Sequence, residues 1–202
     1  MTPAKRMMDI LLAVLLGVLL LPVLVGLSLA VLITSGRPIF YVSERMKTVD
    51  EPFDLIKLRT MTVAREDSGV SGADKAARIT PIGRLLRKTR GDEIPQLWNI
   101  LRGDMSFVGP RPPLRQYVER FPALYAQVLQ SRPGVTGLAS LIYHRHESLL
   151  LEQCHSAEET DAVYTRACVP RKATLDLIYQ RHRSVCFDLA IMWRTAAGVF
   201  RR

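Results

Sequence analysis

From Ile10 to Ile33 the chain reads ILLAVLLGVLLLPVLVGLSLAVLI, without one charged residue. At about 1.5 Å per residue a straight helix of this span reaches roughly 36 Å, enough to cross a bilayer core. A secretory signal is the first rival, since Lys5 and Arg6 give a basic start and Ser28 to Ala30 loosely resembles a cleavage site. The apolar run, however, is much longer than the ~7–15 residues of a signal and continues past that site. Pro22 removes the amide that would bond the Val18 carbonyl and crowds that carbonyl, so a bend is expected. Basic residues flank both ends, Lys5 and Arg6 before the run and Arg37, Arg45 and Lys47 after it, so the positive-inside rule gives no orientation. Two topologies stay open on the residues alone: a helix that bends at Pro22 and returns to the same face, and one ordinary span.

The remainder of the 202 residues suits one compact domain rather than two. Cys154, Cys168 and Cys186 are odd in number and lack a C-x-x-C spacing, which argues against a disulfide framework or a zinc site. A formal net charge of +9 asks for an anionic partner, and nucleic acid, anionic lipid and nucleotide phosphate all qualify.

Alternation over Ile39–Arg45 and Pro52–Met61 predicts a short β-hairpin, with Lys57 and Arg59 on a common face as phosphate ligands or as a solvated strand face. Residues 65–78 are rich in Gly, Ser and Asp and read as a loop. Thr80 as N-cap and Pro81 at the first helical position begin a basic amphipathic helix through Arg90. Another apolar-rich helix covers the C-terminal VCFDLAIMWRTAAGVFRR; both helices suit a membrane interface or a core.

Asp92 and Glu93 precede Ile94, Leu97, Trp98 and Leu101 at helical spacing, which places the carboxylates at a helix start. Capping explains them, and Thr89 with Asp92 resembles a capping box. Chemistry also explains them. Arg84, Arg87, Lys88 and Arg90 lie just upstream, and a Gly-Pro-Arg-Pro turn downstream presents Arg111. Guanidinium groups suit phosphate oxygens, and Mg²⁺ binds through one or two carboxylates together with substrate phosphates.

The stretch DEIPQLWNILRGDMSFVGPRPP, Asp92–Pro113, resembles the signature of the bacterial sugar transferases, the monotopic phosphoglycosyl transferases. The likeness extends through the proline-containing N-terminal helix, FDLIKLRTM, TPIGRLLRKT, RPGVTGLA and DLAIMWRT. It implies transfer of a phosphosugar from a UDP-sugar to a polyprenol phosphate such as undecaprenyl phosphate, with a phosphosugar-aspartyl intermediate and release of UMP. This would be the first membrane step of polysaccharide or glycoprotein assembly. By that resemblance Asp92 is the nucleophile and a Mg²⁺ ligand and Glu93 assists. Arg87 and Arg111 bind phosphate, with Lys57, Arg59 and Arg145 as further substrate-binding candidates.

The implied fold is mainly α with a small hairpin. Residues 1–36 form a re-entrant membrane helix kinked at Pro22, and residues 37–202 a cytosolic catalytic domain with interfacial helices. The implied site is the cytoplasmic face of a bacterial inner membrane, with phospholipids rather than nucleic acid as surroundings and a homo-oligomer compatible with it. The competing reading is a membrane-tethered basic module that binds anionic lipid or nucleic acid without catalysis. Two departures from the family pattern stand out. Leu21 rather than Ser precedes Pro22, and SLIYHRHESLLLEQCHS replaces the usual Asn-Gly-Arg segment after GVTGLA. That replacement, with His144, Arg145, His146 and His155, is expected to be a surface or sugar-facing loop.

Overall fold

A computed structural model describes residues 1–63 and 77–198 in full and the backbone of 199–200. Most of the loop expected over 65–78 lies outside the described residues. The chain is mostly helical. Helix α1 (Pro3–Ser35) leads into the antiparallel pair β1 (Phe40–Met46) and β2 (Pro52–Leu58), followed by α2 (Pro81–Thr89) and α3 (Gln96–Arg102). Strand β3 (Ser106–Val108) precedes α4 (Arg115–Arg120) and α5 (Pro122–Val128). Strand β4 (Gly134–Thr136) is followed by α6 (Leu138–Leu151), α7 (Ala157–Val163), α8 (Val169–His182) and α9 (Val185–Phe200).

The hairpin has the register its alternation implies, with Tyr41 opposite Lys57 and Met46 opposite Pro52. A second sheet was not expected: β3 and β4 pair in parallel, Ser106 with Gly134 and Val108 with Thr136. Three glycines let the two segments touch. A Cβ at Gly109 would lie 2.1 Å from the Arg132 carbonyl oxygen, one at Gly134 would lie 2.2 Å from the Gly109 nitrogen, and one at Gly137 would lie 2.1 Å from the Gly109 carbonyl oxygen. The RPGVTGLA segment therefore grips the turn that carries Arg111.

Helix α1 starts as its sequence dictates, with the Thr2 hydroxyl accepting from the Lys5 amide and Pro3 in its first turn. It contacts the rest of the chain near both ends. At the N-terminal end Arg6 donates to the Ile100 and Leu101 carbonyls at 2.6 and 2.8 Å, closing the orphan acceptors of α3. Beside it the Lys5 ammonium meets Asp188 and the Val108 carbonyl, while Asp9 accepts from the Phe107 amide. Ala13 joins Ile100, Met105, Phe107, Tyr179 and Ile191 in one buried cluster. At the other end Val31, with Leu24 and Leu27, packs on Leu58, Leu86 and Ile82, and Arg59 donates to the carbonyls of Ser35, Gly36 and Arg37. Between the two ends Val18 and Leu19 are 73% and 66% exposed. A third cluster, built around Tyr117, Tyr125, Tyr143, Tyr164 and Cys168, binds α4 to α8 together.

The segment after GVTGLA corrects the expectation of a loop. It is α6, because Ala139, Tyr143 and Leu151 recur on one face and are buried, and His146 lies on α6 with its ring beside Tyr143.

Candidate active site

Helix α2 begins as expected, the Thr80 hydroxyl accepting from the Gly83 amide. It ends at Arg90, whose left-handed backbone (φ 60°) turns the chain into a single 3₁₀ turn, Gly91–Glu93. This corrects the capping expectation. The Thr89 hydroxyl donates back to the Leu85 and Leu86 carbonyls. Helix α3 starts only after Pro95, which supplies no side-chain cap. A positive φ and a proline intervene, so the acidic pair is held in a turn of its own. A Cβ at Gly91 would lie 3.0 Å from Leu27 of α1, so the membrane helix abuts this turn. The spacing of Leu97, Trp98 and Leu101 does form a helix, α3, with Trp98 on its exposed side at 56% exposure.

The turn aims its two carboxylates differently. Asp92 is 7% exposed and its Oδ1 has no hydrogen-bond partner. Glu93 accepts from Lys57 Nζ at 3.3 Å and from Arg90 at 3.3 Å through both oxygens. Burial pushes the Asp92 carboxyl up and the neighbouring Glu93 adds to it, against Lys57 and Arg87. Burial works on Glu93 as well, but Lys57, Arg111 and Arg90 outweigh it and hold Glu93 below its ordinary value. Adjacent carboxylates driven apart in this way divide their labour: Glu93 stays ionised as the anchor of the cations, and Asp92 is left poorly solvated and unpaired.

A cavity of about 830 Å³ opens on this pair, within the range of small-molecule sites. Arg45, Lys57, Arg87, Arg90 and Arg111 line it beside the carboxylates. Arg87 is steadied by its bond to the Thr60 hydroxyl at 3.0 Å. The turn bearing Arg111 is pinned to the hairpin by the bond from the Met46 amide to the Pro113 carbonyl at 3.0 Å. Burial, then Arg111, lowers the Arg45 guanidinium to about 10, and the same two causes push Lys57 down. Partly buried cations that repel one another in a cavity are suited to binding an anion. Arg59 also lines the cavity, yet its guanidinium donates to the carbonyls at the end of α1. Arg145 is exposed on α6 and is not among the residues lining the cavity.

Asn99 was not singled out from the sequence, although it is fully buried. Its Oδ1 accepts from the Ile56 amide at 3.2 Å and its Nδ2 donates to the Asp54 carbonyl at 2.7 Å, so it fixes the strand of Lys57 against α3. An asparagine within an apolar run was the available signal. Among the described residues no group of three His, Cys, Asp or Glu side chains forms a cation cage. The unpartnered Asp92 oxygen fits a cation that takes its other ligands from substrate phosphates.

Across residues 1–202 the chain matches the family model described as bacterial sugar transferase. It is 37% identical over 166 residues to the UDP-glucose:undecaprenyl-phosphate glucose-1-phosphate transferase of Klebsiella pneumoniae, covering 80% of this chain and 36% of that protein. The Escherichia coli K12 protein of the same name is 34% identical, covering 95% of this chain and 39% of its own length. The UDP-N-acetylgalactosamine-undecaprenyl-phosphate N-acetylgalactosaminephosphotransferase of Aeromonas hydrophila is 31% identical, covering 95% of this chain and 42% of its own length. The chain thus spans less than half the length of these three relatives.

Proposed function

The chain belongs to the bacterial sugar transferase family, and on that premise we propose that it transfers a phosphosugar from a UDP-sugar to undecaprenyl phosphate or a related polyprenol phosphate. The observation that carries this reading is Asp92, buried with one carboxylate oxygen lacking a hydrogen-bond partner, in the lining of a cavity ringed by cations. An Asp92 carboxylate oxygen attacks the sugar-proximal phosphorus of the UDP-sugar. The bond from that phosphorus to the UMP oxygen breaks, UMP departs with the electron pair, and the phosphosugar remains on Asp92. A polyprenol phosphate oxygen then attacks the same phosphorus and expels the Asp92 carboxylate. Arg87 and Arg111 hold the phosphate oxygens, and Lys57, kept in place by Glu93, neutralises charge on the leaving phosphate. Mg²⁺, bound by Asp92 together with substrate phosphates, would supply further charge neutralisation at the diphosphate.

Residues 1–36 serve as the membrane unit and 37–202 as the catalytic unit. A re-entrant course for the helix is supported by its two ends, both of which contact the same catalytic unit, so they lie on one side of the bilayer. Pro22, whose missing amide weakens the helix midway, is the bend. Exposed Leu85, Trp98, Leu189 and Trp193 lie in the interface, on the cytoplasmic face of the inner membrane.

The test is UMP release by detergent-purified protein supplied with Mg²⁺, polyprenol phosphate and pooled UDP-sugars. Release that needs both Asp92 and the lipid supports the reading. Full release by Asp92→Asn sinks it.

A further inference from the structure

The cavity does not end at Asp92. It continues between α6 and α8, where Ser140, His144, Glu147, Ser148, Lys172 and Asp176 line it. Its two ends differ in charge. The end beside Asp92 carries five cationic side chains, Arg45, Lys57, Arg87, Arg90 and Arg111. At the far end two carboxylates stand against one ammonium. Lys172 donates to Glu147 Oε1 at 2.8 Å and contacts the Tyr164 hydroxyl at 3.3 Å. Asp176 is 7% exposed, lines the same end, and its Oδ1 has no partner. Transferring the phosphosugar gives none of these three groups a task.

We propose that Glu147, Lys172 and Asp176 form the hexose subsite of the cavity, an assignment that rests on the transferase reading above. Charge favours phosphate at the other end, where the arginines attract it, over this one, where Glu147 and the ionised form of Asp176 repel it. Hydrogen-bond arithmetic then compares the neutral parts of a UDP-sugar. Uracil offers a flat edge with one N–H donor and the ribose two free hydroxyls. A hexose offers more hydroxyls, each a donor, spread around one ring, which an acceptor-rich pair of carboxylates beside a single ammonium satisfies best. Burial raises Asp176 to about 7, against the pull of Lys172, so near neutrality its carboxyl can also donate. The rings of Tyr117 and Tyr164, 4.9 Å apart and both lining the cavity, supply an apolar surface for the C–H face of the sugar. Arg111 acts electrostatically on both Glu93 and Lys172, so one cation serves both ends of the cavity. The chemistry also needs such a subsite, since the sugar has to stay behind when UMP leaves.

Relatives named for glucose and for N-acetylgalactosamine make the panel for the test. Purified full-length protein, wild type, Glu147→Gln and Asp176→Asn, is assayed for UMP release from UDP-glucose, UDP-galactose, UDP-N-acetylglucosamine and UDP-N-acetylgalactosamine, one at a time. Inhibition by UMP is measured alongside. Each variant is expected to lose at least about tenfold in kcat/KM on the best sugar, the loss of a hydrogen bond to a buried polar group. The ratio between the two epimers of that sugar changes as well, while the UMP inhibition constant stays the same. A UMP constant that weakens in step with kcat/KM places the uridine, through its uracil or its ribose, there and overturns the assignment. An equal loss on all four sugars assigns a structural role and overturns it too. Wild type that releases UMP from none of them overturns the transferase reading itself, a different failure. The carboxylate of Glu147 is 19% exposed and Gln is isosteric with it, so that variant carries the test on its own should Asp176→Asn unfold.

Discussion

Asp188 and Asp92 are both buried aspartates, and they have opposite surroundings. Asp188, wholly inaccessible, receives Lys5 Nζ at 2.5 Å and the Tyr179 hydroxyl at 2.7 Å, and both donors also touch the Val108 carbonyl. Asp92 keeps an oxygen with no partner and shares its turn with a second carboxylate. A buried charge costs free energy unless it is paired and hydrogen-bonded. The satisfied carboxylate therefore belongs to the scaffold, tying α1 to α9 and β3, and the unsatisfied one is where the proposed function would have the fold give up stability for reactivity.

Substitutions can break this contrast. The largest effect is expected for Asp92→Asn, a loss of about 10⁴-fold or more in UMP release, the scale seen when a catalytic nucleophile is removed. Its resistance to urea should be equal to or greater than that of the wild type, because a poorly solvated charge is gone. Activity near the wild-type level, or a large drop in stability, would erase the distinction. For Asp188→Ala the order is reversed. Leaving Lys5 buried without its partner should cost about 3–5 kcal/mol of folding stability, and adding Lys5→Met should recover much of it; urea unfolding midpoints of the single and double variants decide.

A subtler test concerns the cations around the dyad. Lys57 draws the Asp92 pKa down, and transfer needs the ionised carboxylate. The acid limb of the kcat/KM profile should therefore move to higher pH in Lys57→Met, and a limb that stays put or moves down would remove Lys57 from the electrostatics of Asp92. The smallest effect sharpens the contrast with a third aspartate. Asp176 has an ordinary pKa of 3.8 and a folded value of about 7. Between those values the native state holds a proton that the unfolded chain has released, so stability falls as pH rises through the window. Asp176→Asn should flatten this slope and should be the more stable protein at pH 8, as thermal melting across pH would register.

How much of this was legible in the sequence depended on the range of the interaction. The Thr80 cap with Pro81, the hairpin alternation and the apolar run are local patterns, and the structure repeats them. The loop expected at His144 was misjudged because three histidines drew attention from a buried stripe at helical spacing, Ala139, Tyr143 and Leu151. The capping box at Thr89 failed because the left-handed turn at Arg90 is set by packing rather than by any glycine. Lys5 and Arg6 looked like flanking charges of a membrane segment, and their partners, Asp188 and the end of α3, lie 183 and 94 positions away along the chain. Lys172 and Asp176 have the spacing of an ordinary surface ion pair on a helix; only the approach of α6 turns them into the wall of a cavity.

Leu27 of α1 lies against Gly91, one residue from the nucleophile, and no loop separates the lipid-facing helix from that turn. On the proposed reading, the depth at which α1 settles in a bilayer is therefore felt at the Gly91–Glu93 turn, through the side of the helix that carries Leu24, Leu27 and Val31.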